Sequence, residues 1–189
     1  MARATALCIG PGLGLDNDTR ALVKEVLLQA QCPVILDADG INAAAEHITI
    51  LDTVKAPLIL TPHIGELARL LSVDKESILQ ERFTLAGSFA RRHAVTLVCK
   101  GYRTFTAPAD MGAYMNTTGN AGLAKAGSGD LLCGIIGALA AQGLVPERAA
   151  AAGVFYHGKA ADLCQEELGQ MYMQPTDVAR FLAKAYPKN

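Results

Sequence analysis

Asn116-Thr-Thr-Gly-Asn-Ala-Gly-Leu-Ala-Lys-Ala-Gly-Ser-Gly-Asp130, running on into Leu-Leu-Cys-Gly-Ile-Ile-Gly-Ala-Leu-Ala140, joins a glycine-rich loop to an uncharged segment. Gly127 and Gly129 allow the backbone to approach a ligand closely, and Asn120, Ser128 and Asp130 are turn and N-cap formers. The run from Leu131 to Ala140 is apolar on every side, which predicts a buried helix. A loop ending at such a helix offers unpaired N–H groups and the positive end of the macrodipole, so an anion, and first of all phosphate, is the expected ligand. A plainer reading fits the same residues: Asp130 caps the helix and the glycines turn the chain. No GxxxxGK[ST] loop is present, and Gly10-Pro-Gly-Leu-Gly14 has the wrong spacing for GxGxxG.

Outward from this stretch, the chain has 189 residues, of which 51% are hydrophobic, enough for one domain spanning 1–189 with a sizeable core. A net charge of −1 with scattered basic residues gives no footprint for nucleic acid or for an anionic membrane, and favours a small-molecule substrate. The five cysteines, at 8, 32, 99, 133 and 164, form no CxxC and sit mostly in apolar runs, so reduced core thiols and a cytoplasmic location are expected. The apolar run at the N-terminus is too short for a signal peptide, and no stretch approaches a membrane span.

Thr5 to Ile9 reads as a short strand ending at Gly10-Pro-Gly-Leu-Gly14, and Asn17 or Asp18 caps a helix to about Ala30. Pro33 to Asp37 is a uniformly apolar strand of the parallel, buried kind, which completes a β-α-β unit. Asp37-Ala-Asp-Gly-Ile-Asn42 follows at its carboxyl end, where ligands bind in open α/β sheets. Asp37 and Asp39 could hold a metal or a hydroxyl, or equally cap a short helix to Ala45. Ala56 to Thr61 repeats the strand and ends in Pro62-His-Ile-Gly-Glu66, placing His63 at a third polar cluster, with Glu66 opening a helix to Leu71. A helix from Lys75 to His93 leads to the strand Val95–Cys99 and the loop Lys100-Gly-Tyr-Arg-Thr104, where Lys100 suits a phosphate-facing loop or an exposed turn. Pro146 to Gly169 form one alanine-rich helix or two, and Pro175 starts a final helix to about Ala185. His157 and Lys159 read as structural, and no repeat, linker or internal boundary is visible.

Gly10-Pro-Gly-Leu-Gly14, Leu36-Asp-Ala-Asp-Gly-Ile-Asn42, Leu60-Thr-Pro-His-Ile-Gly-Glu66, Lys100-Gly with Thr104, and the Gly119 to Asp130 stretch occur in this order. In that order they resemble the ADP- or ATP-dependent NAD(P)H-hydrate dehydratases of the ribokinase-like superfamily, over essentially the whole chain. The resemblance implies a three-layer α/β/α fold with a mainly parallel central sheet. It also implies an enzyme, a lyase, that dehydrates the S epimer of hydrated NADH or NADPH, with ADP or ATP as phosphoryl donor and Mg2+ accompanying the nucleotide. In the implied reaction the hydrate's hydroxyl is phosphorylated and the ring nitrogen then expels phosphate.

Carried over by motif, Asp130 is the catalytic base. Gly12, Gly14, Asp39, Asn42, His63 and Asp130 are the groups that touch the hydrate. Lys100, Gly101, Tyr102, Arg103, Thr104, Asn120, Gly127, Ser128 and Gly129 bind the nucleotide, and no residue is assigned as a metal ligand. Members of the family usually carry a further N-terminal segment before the GPGLG strand. An unpaired strand edge, a homo-oligomer that covers it, and fusion to or cooperation with an epimerase are therefore expected. Two other readings stay open: a ribokinase-like small-molecule kinase, and a non-catalytic nucleotide-binding module.

Overall fold

The computed structural model describes residues 3–110 and 112–187. Among the described residues six strands, β1 (Leu7–Ile9), β2 (Val34–Leu36), β3 (Leu58–Leu60), β4 (Thr96–Cys99), β5 (Phe105–Ala107) and β6 (Tyr114–Met115), lie side by side in sequence order. β1 to β4 pair in parallel, with Ile9, Leu36, Leu60 and Leu97 abreast. β5 and β6 are antiparallel additions, so the sheet is mixed and mostly parallel. These last two strands were not legible in the sequence, because β6 is exposed and only two residues long.

Seven helices flank the sheet among the described residues: α1 (Asn17–Gln29), α2 (Ala38–Ala45), α3 (Ile64–Leu71), α4 (Lys75–Arg92), α5 (Ser128–Ala141), α6 (Pro146–Leu168) and α7 (Pro175–Ala185). Because successive strand side chains point to opposite faces, each buried strand feeds two cores. Val34, Leu36, Leu58, Leu60, Leu97 and Cys99 pack with α1 to α4 on one face. Ile35, Ile59 and Val98 pack with α5 and α6 on the other, and α7 covers α6 through Phe181 and Val178. Burial of each such Leu or Ile contributes about 1.5–3 kcal/mol, so both faces are committed to helices. This is the three-layer α/β/α arrangement.

Local details correct several expectations. Asp16, not Asn17 or Asp18, caps α1, its Oδ1 accepting the Thr19 N–H at 2.8 Å. His63 is the N-cap of α3, and Glu66 closes the capping box from the third helical position. Residues 146–168 form one helix, with Pro146 in its first turn where no N–H is needed. α5 is not buried all round: Gly134 and Ala138, one turn apart, are exposed. The helix is held on two sides, by the sheet and by α6, and small residues counted as apolar occupy the open side. Close approach is forced by Gly137, where a Cβ would lie 2.3 Å from Cys8 Sγ, and by Gly153, where one would lie 2.6 Å from Ile136. All five cysteines are free, and Cys8, exposed as a residue on the edge strand β1, turns its thiol in against α5, donating to the Cys133 carbonyl at 3.4 Å. Among the described residues no helix is long and apolar enough to cross a membrane.

Candidate active site

Parallel strands present their carboxyl ends together, so the residues just beyond β1 to β4 collect along one edge of the sheet. Gly10 comes directly after β1, Asp37 after β2, Thr61 after β3 and Lys100 after β4. The backbone ladder continues past the strands: Asp37 N–H donates to Ile9 O at 3.1 Å, Thr61 N–H to Leu36 O at 3.1 Å and Lys100 N–H to Pro62 O at 2.8 Å. His63 and Lys100 form an isolated parallel bridge. Gly10, at φ +128°, packs so closely on the next turn that a Cβ would stand 1.7 Å from the Asp37 carbonyl oxygen.

At the centre of this edge Lys100 Nζ lies 2.6 Å from Asp37 Oδ1, and Asp37 is 1% exposed. The N-terminus of α5 stands over the pair. A Cβ on Gly129 would lie 3.3 Å from Lys100 Nζ and 3.7 Å from Asp37 Oδ2. Gly127 is the N-cap of α5 at φ +88° and supplies no side-chain cap. The Ser128 amide is taken by the Lys125 carbonyl at 3.2 Å, whereas those of Gly127, Gly129 and Asp130 find no partner among the described residues. A lysine and a helix N-terminus with unpaired amides thus lie close together, which suits an anion such as a phosphoryl group.

Asp130, at the third position of α5, is exposed and makes no hydrogen bond or ion pair among the described residues. The reading in which it merely caps the helix therefore fails. Neither Asp37 nor Asp39 caps α2 with its side chain. Asp37 is spent on Lys100, and Asp39 Oδ2 accepts the Gly14 N–H at 2.9 Å, tying the GPGLG loop to the DADGIN turn. Gly12 is exposed in that loop, with nothing within 4 Å of an added Cβ.

His63 Nδ1 accepts from Gly65 N–H at 2.9 Å and Glu66 N–H at 3.2 Å. That fixes the neutral tautomer with the proton on Nε2, whose 3.3 Å contact is the buried Glu66 carboxylate. The side chain is 54% exposed, so a histidine employed as a cap remains accessible from solvent.

Other assigned residues are placed less directly. Asn42 Oδ1 accepts from Arg69 at 2.7 Å. Asn120 is spent internally, Oδ1 accepting from Gly122 N–H at 3.0 Å and Nδ2 donating to Asp162 at 3.0 Å. These two bonds fix the side chain's place in the loop and leave one N–H and one lone pair of the amide unused. Ser128 Oγ is buried without a partner. Tyr102 and Arg103 are exposed, Arg103 at φ +55°, and Thr104 Oγ1 closes the loop onto the Gly101 carbonyl at 3.1 Å.

Sequence reading missed three supports. Asp37 was weighed without its partner, which lies 63 residues away. Arg82, after the bend in α4 at Glu81, donates to the Tyr102 carbonyl at 2.9 Å. Asp162 on α6 holds the Gly119 amide at 2.8 Å. None has a local signal, since each acts across the fold. Deeper still, the imidazole of His157 on α6 has its pKa lowered to about 4 by burial.

A mostly parallel sheet between two helical layers, with a helix N-terminus over its carboxyl edge, is the arrangement of a ribokinase-like α/β protein. The same fold is found in a ribokinase-like superfamily protein of Enterococcus faecalis at TM-score 0.80 and 28% identity, covering 97% of this chain and 64% of that one. The model of the NAD(P)H-hydrate dehydratase family (Carb_kinase) matches residues 1–184, and the chain belongs to that family. It is 46% identical over 182 residues to the bifunctional NAD(P)H-hydrate repair enzyme Nnr of Moorella thermoacetica, which covers 96% of this chain and 34% of the relative. It is 39% identical over 167 residues to the ADP-dependent (S)-NAD(P)H-hydrate dehydratase of Neisseria meningitidis, covering 87% of this chain and 56% of the relative. The ADP/ATP-dependent NAD(P)H-hydrate dehydratase of Bacillus subtilis, co-crystallised with ATP/Mg2+, superposes at TM-score 0.84 with 31% identity, over 96% of this chain and 63% of that one. The chain thus spans from about a third to under two thirds of the length of these relatives.

Proposed function

We propose that this chain carries the nucleotide-dependent dehydration of the S epimer of hydrated NADH or NADPH, a repair reaction named in the relatives above. The observation that carries the reading is Asp130: an exposed carboxylate with no structural partner, at the N-terminus of a helix whose adjoining amides are free. A residue doing no structural work beside an anion site is a candidate general base.

In this reading Asp130 accepts the proton of the hydrate's hydroxyl as that oxygen attacks the terminal phosphoryl group of ADP or ATP. The amides of Gly127 and Gly129 and the Lys100 ammonium stabilise the charge on the group in transit. The nitrogen lone pair of the nicotinamide ring then expels phosphate, which restores the reduced ring. His63 presents Nε2–H, and the Gly12–Gly14 loop with Asp39 and Asn42 forms the hydrate side of the cleft. The Lys100–Thr104 loop, with Gly129, forms the nucleotide side, and Asn120 contributes by shaping its own loop. Among the described residues no three His, Cys, Asp or Glu side chains converge to cage a metal. Mg2+ belongs to the same proposal as the partner of the nucleotide, which would hold it chiefly through phosphates and water and whose charge it would neutralise.

A homo-oligomer belongs to the same proposal, supported by β1, which ends the sheet among the described residues. A cytoplasmic setting and a functional link to an epimerase are consistent with the five free thiols and with the bifunctional relative. The test is recovery of the near-ultraviolet absorbance of reduced nicotinamide from prepared hydrate, with ADP and ATP supplied separately. Release of a stable phosphate ester in place of reduced nicotinamide would make the chain a small-molecule kinase, and nucleotide binding without turnover would make it a binding module.

A further inference from the structure

The buried carboxylate of Asp37 has no place in the reaction just described, yet it stands in the middle of the site. It is 1% exposed, and its Oδ1 lies 2.6 Å from Lys100 Nζ, whose side chain is 18% exposed. A buried pair of this kind contributes little to stability compared with a well-packed apolar pair, and removing one partner alone is costly. Stability is therefore a poor reason for its presence here.

Its geometry is more telling. Lysine carries a flexible four-carbon stem and would ordinarily lose a large rotamer entropy to stay in one position. Lys100 is instead fixed at both ends: the backbone N–H donates to Pro62 O at 2.8 Å, and the ammonium is drawn inward by Asp37. The N-terminus of α5 comes down close to this ammonium at Gly129, where a Cβ would stand 3.3 Å from Nζ and 3.7 Å from Asp37 Oδ2. Asp37 itself is held by its backbone: its N–H donates to Ile9 O at 3.1 Å, and its carbonyl accepts from Gly40 N–H at 2.9 Å.

We infer that Asp37 is a positioning residue: buried at the end of β2, it anchors the Lys100 ammonium beside Gly129 at the N-terminus of α5, where the proposed function puts the transferred phosphoryl group. The inference deepens the function proposed above and rests on it for its kinetic consequences. Lys100 touches the phosphoryl group; Asp37 acts only through Lys100. A cation held in the transferring geometry matters most in the transition state, so loss of the anchor reduces kcat more than it raises KM for the nucleotide.

The experiment is a double-mutant cycle on the full chain, with turnover of the hydrate and the labelling rate of Lys100 by an amine-reactive reagent as its two readouts. Asp37→Leu lowers kcat on the order of 100-fold with KM for ATP changed less than about threefold, as a displacement of roughly 1 Å at a reacting centre can do. Asp37→Asn, which still offers an acceptor oxygen, recovers most of that loss. In the Lys100→Met background Asp37→Leu costs nothing further in kcat, and this apolar double variant also serves as the folded control. In the labelling arm Asp37→Leu raises the reaction rate of Lys100 at least about fivefold over the unaltered chain, while Lys24 and Lys184 are unchanged. Equal kcat losses from Asp37→Leu with and without Lys100, or a Lys100 labelling rate that Asp37→Leu leaves unchanged, overturn the inference. If the unaltered chain does not turn over the hydrate, the proposed function fails, and the labelling arm alone decides whether Asp37 anchors Lys100.

Discussion

Replacing Asp130 by Asn removes one negative charge and almost no structure. The side chain has no hydrogen bond or ion pair to lose among the described residues, and Asn occupies the same volume. What the fold loses is the favourable interaction of a carboxylate with the N-terminus of α5, about 0.3–1 kcal/mol, a fall in melting temperature of no more than about 4 °C. Nucleotide affinity is expected to be undiminished, because the lost charge would have repelled phosphate. Turnover should fall by about 10²- to 10⁴-fold, the usual contribution of a general base and equivalent to about 2.7–5.4 kcal/mol in the barrier. The measurements are calorimetric titration with ATP, thermal denaturation, and recovery of reduced nicotinamide absorbance from the hydrate. A folded Asp130→Asn protein that binds ATP and keeps more than about half its turnover would remove Asp130 as the base, and the mechanism with it.

Gly129→Ala sets a methyl group 3.3 Å from Lys100 Nζ, at the place where phosphate oxygens must approach. We expect ATP affinity to fall about tenfold or more by calorimetry while the melting temperature holds or rises, since Ala favours the helix by up to about 1 kcal/mol. Gly10→Ala is a folding lesion, because a Cβ 1.7 Å from the Asp37 carbonyl oxygen at φ +128° has no room. The expected outcome is a loss above about 4 kcal/mol, seen as little soluble protein and a collapsed circular dichroism transition. His157 gives an acid dependence. Its pKa falls from 6.5 in the unfolded chain to about 4 in the fold, so the unfolded state takes up the extra proton as pH drops, and stability falls with it. About 2 kcal/mol is lost between pH 8 and about pH 5 from this group, and His157→Leu should flatten that part of a denaturant-melt series.

The parallel core, and the sheet edge along which the polar clusters collect, were legible in the chain alone. The apolar runs Val34–Leu36, Leu58–Leu60 and Leu97–Cys99, each short and succeeded by a polar cluster, read as buried parallel strands whose carboxyl ends lie together. The glycine-rich entry to α5 was equally plain, because loop flexibility and an apolar helix are both local properties. Tertiary structure decided what each polar residue does there. Asp130 is released from capping because Gly127 takes the N-cap, His63 becomes a cap with its proton on Nε2, and Asn120 is turned inward by Asp162. Asp37 and Lys100, 63 residues apart, meet only because β2 and β4 flank β3 in the sheet. A side chain's hydrogen-bond partner is a fact of three-dimensional neighbourhood, and a carboxylate reads the same in sequence whether its charge is spent on a lysine or kept for a substrate.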